Sequence, residues 1–243
     1  MHKILGLLLL CSVQAFSQEV SFESANAAYE TGNYTEAIVQ YQELVDQSFQ
    51  SKNLFYNLGN AYFKNNELAL SILYLEKAQK LAPGDDNIQH NLRLAYLNTS
   101  DKIEPLPELF FILWWKRFLS SKTASQWAKL GLLFSFIAFI SFAIIRIRKN
   151  WLLKVLASFS VVCFLAFTSL AFLKNSYDKS HEYAIVMQDD VQLLSAPNSS
   201  GKELFRVNQG LKVRRIESID TWTKLRLEDG NEAWVKSEAI ASI

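Results

Sequence analysis

Few residues in this 243-residue chain are equipped for covalent or metal chemistry. Its 3 His and 2 Cys never fall with Asp or Glu at a metal-ligand spacing, no Ser is patterned with a His as a nucleophile, and the 8 Gly form no phosphate-cradling loop. The sequence therefore predicts no catalytic residue, no metal site, no cofactor and no enzyme activity. What it carries is recognition chemistry. Asn26 and Asn60 stand 34 residues apart among aromatics, Phe22 and Tyr29 around the first, Tyr56 and Phe63 around the second, with His90 beyond. An asparagine amide donates and accepts, so it can pair with the backbone of an extended peptide while the rings supply apolar area. The same amides could instead satisfy neighbouring side chains, leaving the segment as a structural prop. Trp222 and Trp234 form a second candidate pair, either a recognition surface or the large core residues of a small domain. His181 stands alone.

The elements that would position the asparagines repeat with the same offset. Leu58, Ala61 and Tyr62 recur as Leu92, Ala95 and Tyr96, and Gly32-Asn33-Tyr34 with Ala37 occupies the place of Asn66-Glu67-Leu68 with Ser71. A 34-residue period is the tetratricopeptide length. At Leu58-Gly59, Tyr62, Ala78 and Pro83 the chain resembles that family, which implies an all-α solenoid of helix pairs; it is the family's groove positions, carried onto this chain, that fall at Phe22, Asn26 and Tyr29, then Tyr56, Asn60 and Phe63, with His90 beyond. Gly59, Ala61 and Ala78 allow close helix approach, and Pro83 ends the second helix of its pair because it cannot continue the hydrogen-bond ladder. The first unit, Glu19 to about Gln50, has Phe49 where the proline would stand. The third keeps only its first helix, Asn87 to about Asn98, as a cap. Family members that capture a carboxylate place Lys or Arg where this chain has Phe22 and Asn91, which argues against a carboxylate clamp.

Two apolar runs, Leu130 to Ile145 and Val155 to Leu173, enclose the cations Arg146, Arg148, Lys149 and Lys154. They predict a transmembrane hairpin with helices at 128–147 and 152–173. Neither run contains an acid or a His, so no proton relay or ion path is expected. Lys116, Arg117, Lys122 and Lys129 before the first run nearly balance the loop cations, so loop charge alone does not orient the hairpin. The N-terminus does: His2 and Lys3, the apolar Ile4 to Cys11, then Ala15 and Ser17 predict a signal peptide over 1–17, cut after Ser17. An uncleaved anchor or a tail-in protein is the other reading. A lipoprotein reading of Cys11 fails at Leu10, where a small residue should stand. With the N-terminus exported, both flanking domains fall on the periplasmic side of a bacterial inner membrane. Cys11 and Cys163 then both lie outside the exported parts, so no disulfide is available. A net charge of +1 gives no basic excess for nucleic acid.

The repeat domain spans 18–100 and a linker covers 101–126. In the linker, Pro105 and Pro107 favour an extended chain, and Glu108 to Leu119 mixes Trp114 and Trp115 with Lys116 and Arg117. That mixture suits a helix in the lipid headgroup layer, or a contact with another subunit. Residues 181–243 alternate apolar and polar residues between turn signals and predict five or so strands in a small all-β barrel: Tyr183 to Val186, Val191 to Leu194, Lys212 to Ile216, Trp222 to Leu227 and Ala233 to Lys236. At Val191-Gln-Leu-Leu-Ser-Ala-Pro197, Asn208-Gln-Gly210, Trp222 to Leu227, Asp229-Gly230 and Ala233-Trp234-Val235 the chain resembles the bacterial SH3-like family, although Ala233 stands where that family usually has Gly. The resemblance implies a module that grips cell-wall peptides or docks proteins.

The sequence thus describes a multi-domain membrane protein: a tetratricopeptide-repeat solenoid, a two-helix transmembrane hairpin and an SH3-like barrel. Signal, repeats, Pro-Leu-Pro with Trp-Trp, two spans and a β-module, in that order, resemble the Bat (Bacteroides aerotolerance) family, in particular its BatE type. The resemblance implies a membrane complex with von Willebrand factor A-domain proteins and a MoxR-type ATPase, linked to oxidative-stress tolerance or envelope integrity. The expected role is a non-enzymatic scaffold. A wall sensor binding peptidoglycan through the β-module is the rival.

Overall fold

A computed structural model describes residues 22–148 and 150–243. The signal-peptide expectation at 1–17 lies outside the described residues. The first unit opens with five helices: α1 over residues 22–30, α2 (Tyr34–Asp46), α3 (Lys52–Lys64), α4 (Leu68–Leu81) and α5 (Asp86–Leu97). They are two helix pairs and a single capping helix, in the register the 34-residue period predicts.

Their ends follow from local chemistry. Gly32 (φ 81°), Ser48 (φ 67°) and Asn66 (φ 62°) each adopt the left-handed conformation just past α1, α2 and α3. In each case the next residue's N–H reaches back to a carbonyl of the last turn: Asn33 to Ala28 at 2.9 Å, Phe49 to Leu44 at 3.1 Å and Glu67 to Tyr62 at 2.9 Å. These closures satisfy carbonyls that have no partner within the helix. Gly32 and Asn66 share one repeat position and are among the residue types that tolerate it. Phe49, which lacks the expected proline, closes its turn by the same bond. Ser51 and Asp85 cap the starts of α3 and α5, accepting from Leu54 N and from Asn87 N and Ile88 N. Gly59 is where α3 meets α4: a Cβ there would lie 2.8 Å from Leu75 Cγ and 3.0 Å from Leu75 N.

The C-terminal segment is a seven-stranded antiparallel sheet: β1 (Tyr183–Val186), β2 (Val191–Leu194), β3 (Glu203–Val207), β4 (Lys212–Ile219), β5 (Trp222–Arg226), β6 (Glu232–Lys236) and β7 (Ile240–Ser242). The order is β3-β2-β6-β5-β4-β1-β7, so the sheet is open between β3 and β7 and not hydrogen-bonded into a closed barrel. It nonetheless curls around one core, because Val207 from one edge and Ile240 from the other pack into the same cluster with Leu193, Val213, Leu225 and Val235. Two strands escape the sequence pattern. β3 is exposed at four of its five positions, which erases the alternation, and β7 is only three residues long.

Repeats and sheet form one compact unit, comprising the described residues up to Leu81, Asp85–Pro105 and Tyr183–Ile243. Ile185 of β1 is fully buried in a cluster with Ile72 and Leu75 of α4 and Leu92 and Ala95 of α5, flanked by Met187, Ala241 and Ile243. Polar contacts border it. Glu76, 6% exposed, accepts from Tyr96 Oη at 2.6 Å and pairs with Lys212 Nζ at 2.7 Å. Lys212 Nζ also lies 4.8 Å from the centre of the Tyr183 ring. Asp101 accepts from Asn208 N at 2.5 Å and Nδ2 at 2.9 Å, and Ile103 packs against the sheet's core, so the start of the linker is tied down.

The second unit, Ala82–Gly84 with Leu106–Glu182, contains α6 (Phe110–Ser120), α7 (Ala124–Ile145) and α8 (Trp151–Ser180). α7 and α8, of 22 and 30 residues, are long and apolar enough to cross a membrane. At 1.5 Å rise per residue the 22 residues of α7 reach about 33 Å. The pair packs as a hairpin through small residues and rings. Ala138, Ser141, Ala157 and Ser160 are buried, Gly131 admits Thr168 to within 3.1 Å of its missing Cβ, and Phe134 stacks on Phe167 at 5.5 Å.

Candidate functional site: the groove of the repeat stack

Helices α1, α3 and α5 line one side of the stack, and the asparagines form a ladder along it. Asn57 Nδ2 donates to Asn26 Oδ1 at 2.8 Å, and one period later Asn91 Nδ2 donates to Asn60 Oδ1 at 2.8 Å. The two rungs differ in what surrounds them. Asn26 Oδ1 also accepts from Tyr41 Oη at 2.5 Å, and Phe22 packs on Tyr41 with ring centres 5.8 Å apart. Asn26 and Phe22 therefore knit α1 to α2 and α3. Asn60 borders a cavity of about 140 Å³ lined by Tyr29, Asn60, Phe63, Lys64, Leu75, Asn91 and Leu94. Tyr56 stands behind it, its hydroxyl accepting from Asn91 Nδ2 at 3.0 Å.

Of the six groove residues named from sequence, Tyr29, Asn60 and Phe63 line the cavity, Tyr56 braces Asn91, and Phe22 and Asn26 serve packing. His90 is exposed and outside the lining. Asn57, Asn91 and Lys64 complete the site. Asn57 and Asn91 could have been found from sequence, since they too are 34 residues apart. Lys64 could not, because its repeat equivalents, Glu30 and Asn98, carry no cation. Of the packing residues named from sequence, Gly59, Ala61, Tyr62 and Ala78 are buried, and α4 ends at Leu81, before Pro83.

Burial sets the electrostatics. The hydroxyls of Tyr41 and Tyr62 are each pushed up to about 12, chiefly by burial, and burial likewise raises that of Tyr29. All three stay neutral hydrogen-bonding groups at physiological pH. The cavity offers an amide pair, a phenol, a cation at its rim and apolar walls of Phe63, Leu75 and Leu94. With that combination a backbone segment can pair with the amides while a side chain enters the cavity. Among the described residues, no group of three or more His, Cys, Asp or Glu could hold a metal ion.

Trp222 and Trp234 sit elsewhere. On β5 and β6 the inward positions are Thr223, Leu225, Ala233 and Val235, so both indoles stand half-buried on the outer face. Lys224 and Arg226 on that face are both paired with Glu232.

A family model described as TPR repeat matches residues 25–66, and one described as tetratricopeptide repeat matches residues 53–85. No curated protein matches the chain. Residues 25–85 are therefore tetratricopeptide repeats, a class of fold that binds protein partners, carried here with two candidate membrane helices and an antiparallel sheet.

Proposed function

We propose that this protein is a membrane-anchored, non-enzymatic adaptor whose repeat groove holds an extended segment of a partner protein. The observation that carries the reading is the second asparagine rung: Asn60, within the stretch matched by repeat family models, paired with Asn91 of α5 at the edge of an apolar cavity that Lys64 also lines. Two further observations support the anchoring. α7 and α8 have the length and apolarity of spans. The described residues up to Leu81, Asp85–Pro105 and Tyr183–Ile243 fold into one unit, so the segments before and after the helices must lie on one side of whatever the helices cross. On this reading the chain leaves that side through α7 and returns through α8, and the signal-like N-terminus makes it the periplasmic side of a bacterial inner membrane. The order of segments favours a complex of the Bat type, with von Willebrand factor A-domain proteins and a MoxR-type ATPase as partners. The motif residues from Val191 to Val235 favour an SH3-like ancestry for the sheet, as an open variant.

The test is photo-crosslinking in the native host with a benzophenone amino acid at Phe63 or Leu94, against a control at Val39, an exposed α2 position. Adducts at both groove positions, absent at Val39 and weakened by Asn60→Ala, are expected. Equal labelling at Val39 would overturn the groove assignment. Adducts whose mass spectra contain no von Willebrand factor A-domain or ATPase peptides would keep the adaptor and remove the Bat complex. The exposure of Trp222 and Trp234 on the sheet's outer face favours a second reading, wall binding. It predicts that the full chain in detergent pellets with sacculi and that Trp234→Ala abolishes pelleting.

A further inference from the structure

We infer that α6 is an in-plane membrane anchor, its partner being the headgroup layer of the bilayer that α7 and α8 cross. The inference rests on reading α7 and α8 as spans. At about 100° per residue, Phe110, Phe111, Trp114, Trp115 and Phe118 fall within one aromatic arc of about 140°, Lys116 and Ser120 lie opposite it with Ile112 and Leu113 beside them, and Arg117 borders Phe110 at the edge of the arc. Part of that apolar side is used inside the unit. Leu119 is buried, and Phe118 lies 5.4 Å from Trp127. The rest is open, with Phe110 82% and Trp114 63% exposed.

The attachment of α6 to α7 fixes where that open face sits. Trp127 Nε1 donates to Leu119 O at 3.2 Å, its ring stacks on Phe167 of α8 at 5.9 Å, and a Thr123–Gln126 capping box starts α7 immediately after. The end of α6 is thereby clamped to the end of the hairpin where Trp127, Lys129, Lys174 and Tyr177 gather. Such aromatic and cationic residues mark the headgroup level of a span. At 11 residues α6 is too short to cross the hydrocarbon core, so from that level it can only lie along the surface. Its charge supports burial by apolar area over attraction to anionic lipid: Lys116 is paired with Glu108 at 2.5 Å, leaving Arg117 as the helix's other cation. A second copy covering the same face is the competing occupant.

The test is site-directed spin labelling of the full chain in phosphatidylcholine nanodiscs, with both cysteines replaced by serine. Labels go at Phe110→Cys, Ser120→Cys and Phe159→Cys, the last an exposed mid-helix position of α8, with Trp114→Cys as a second reporter of the apolar arc. The expected result is an oxygen-to-nickel-chelate accessibility ratio several-fold higher at Phe110 and Trp114 than at Ser120, and higher still at Phe159. Equal ratios at Phe110, Trp114 and Ser120 with Phe159 still deep would overturn the anchor and leave the spans intact. Dipolar broadening between Phe110 labels at one chain pair per disc would assign the face to a second copy. Access of the nickel chelate to Phe159 would remove the spans and the anchor together.

Discussion

The groove side of the repeat stack and its sheet-facing side are built from the same helices with opposite chemistry. Along the groove, asparagines pair with one another, a cavity of about 140 Å³ stays open and Lys64 borders it. On the sheet side, Ile72, Leu92 and Ala95 close over a fully buried Ile185, Leu75 stands between that cluster and the cavity, and the charge there, Glu76, is neutralised by Lys212 and held by Tyr96. Apolar surface buried in folding stabilises this chain and is no longer available to a partner. Polar groups half-satisfied beside a cavity contribute little to folding and remain available for recognition. The difference teaches that the sheet is the stack's second cap, opposite in role to the groove.

The comparison breaks most readily at Ile185. Replacing it with Ala removes a fully buried side chain from the junction and should cost about 3 kcal/mol, read as a drop in melting temperature of the full chain in detergent. An unchanged melting temperature would mean that sheet and stack are not one cooperative unit. Glu76→Gln removes the partner of Lys212, which keeps 27% exposure and so some access to water; a loss of about 2 kcal/mol is expected. Much of it should be recovered by adding Lys212→Met, which no loss of the fold itself would allow.

Alkaline titration sharpens the same contrast. Tyr41 and Tyr62 hold their protons to about pH 12 when folded, and Tyr96 is held higher still by burial and then by the Glu76 carboxylate. The unfolded chain releases tyrosine protons near pH 10. Between these values the folded state binds more protons, so stability should fall as pH rises from 10 to 12. Absorbance at 295 nm and circular dichroism should then change together for the buried tyrosines. Ionisation of all nine at pH 10 with the fold intact would contradict the burial.

Smaller effects probe the turns and the groove. Asn66→Ile places a β-branched residue in the left-handed region and should cost about 1 kcal/mol, whereas Asn66→Gly should be neutral or slightly stabilising. Asn60→Ala should change stability by only about 0.5 kcal/mol while weakening crosslinks at Phe63. A large loss of stability there would make Asn60 a prop like Asn26.

Much of this was legible along the chain. Both repeats, the close approach at Gly59 and five of the strands follow from spacing and residue type, whereas the left-handed turn shared by Gly32 and Asn66 came only from the structure. The strands that were missed, β3 and β7, lack the alternation that a buried face imposes. In the groove, sequence found Asn60, Tyr29 and Phe63 but could not separate them from Asn26 and Phe22. That division depends on Tyr41, fifteen residues from Asn26 and reached only once α1 and α2 fold together.

Local periodicity determined the helices, their caps, the apolar runs of α7 and α8 and the 34-residue register, because each depends on residues within a turn or a repeat of one another. Tertiary structure covers α4 all round, since Ile72 to Glu76 are consecutive buried residues of a single helix. What covers it was decided by tertiary structure alone. Ile185 and Lys212 come from beyond the hairpin, Lys212 lying 136 residues from Glu76, and no local pattern specifies which of several apolar strands will bury against which helix.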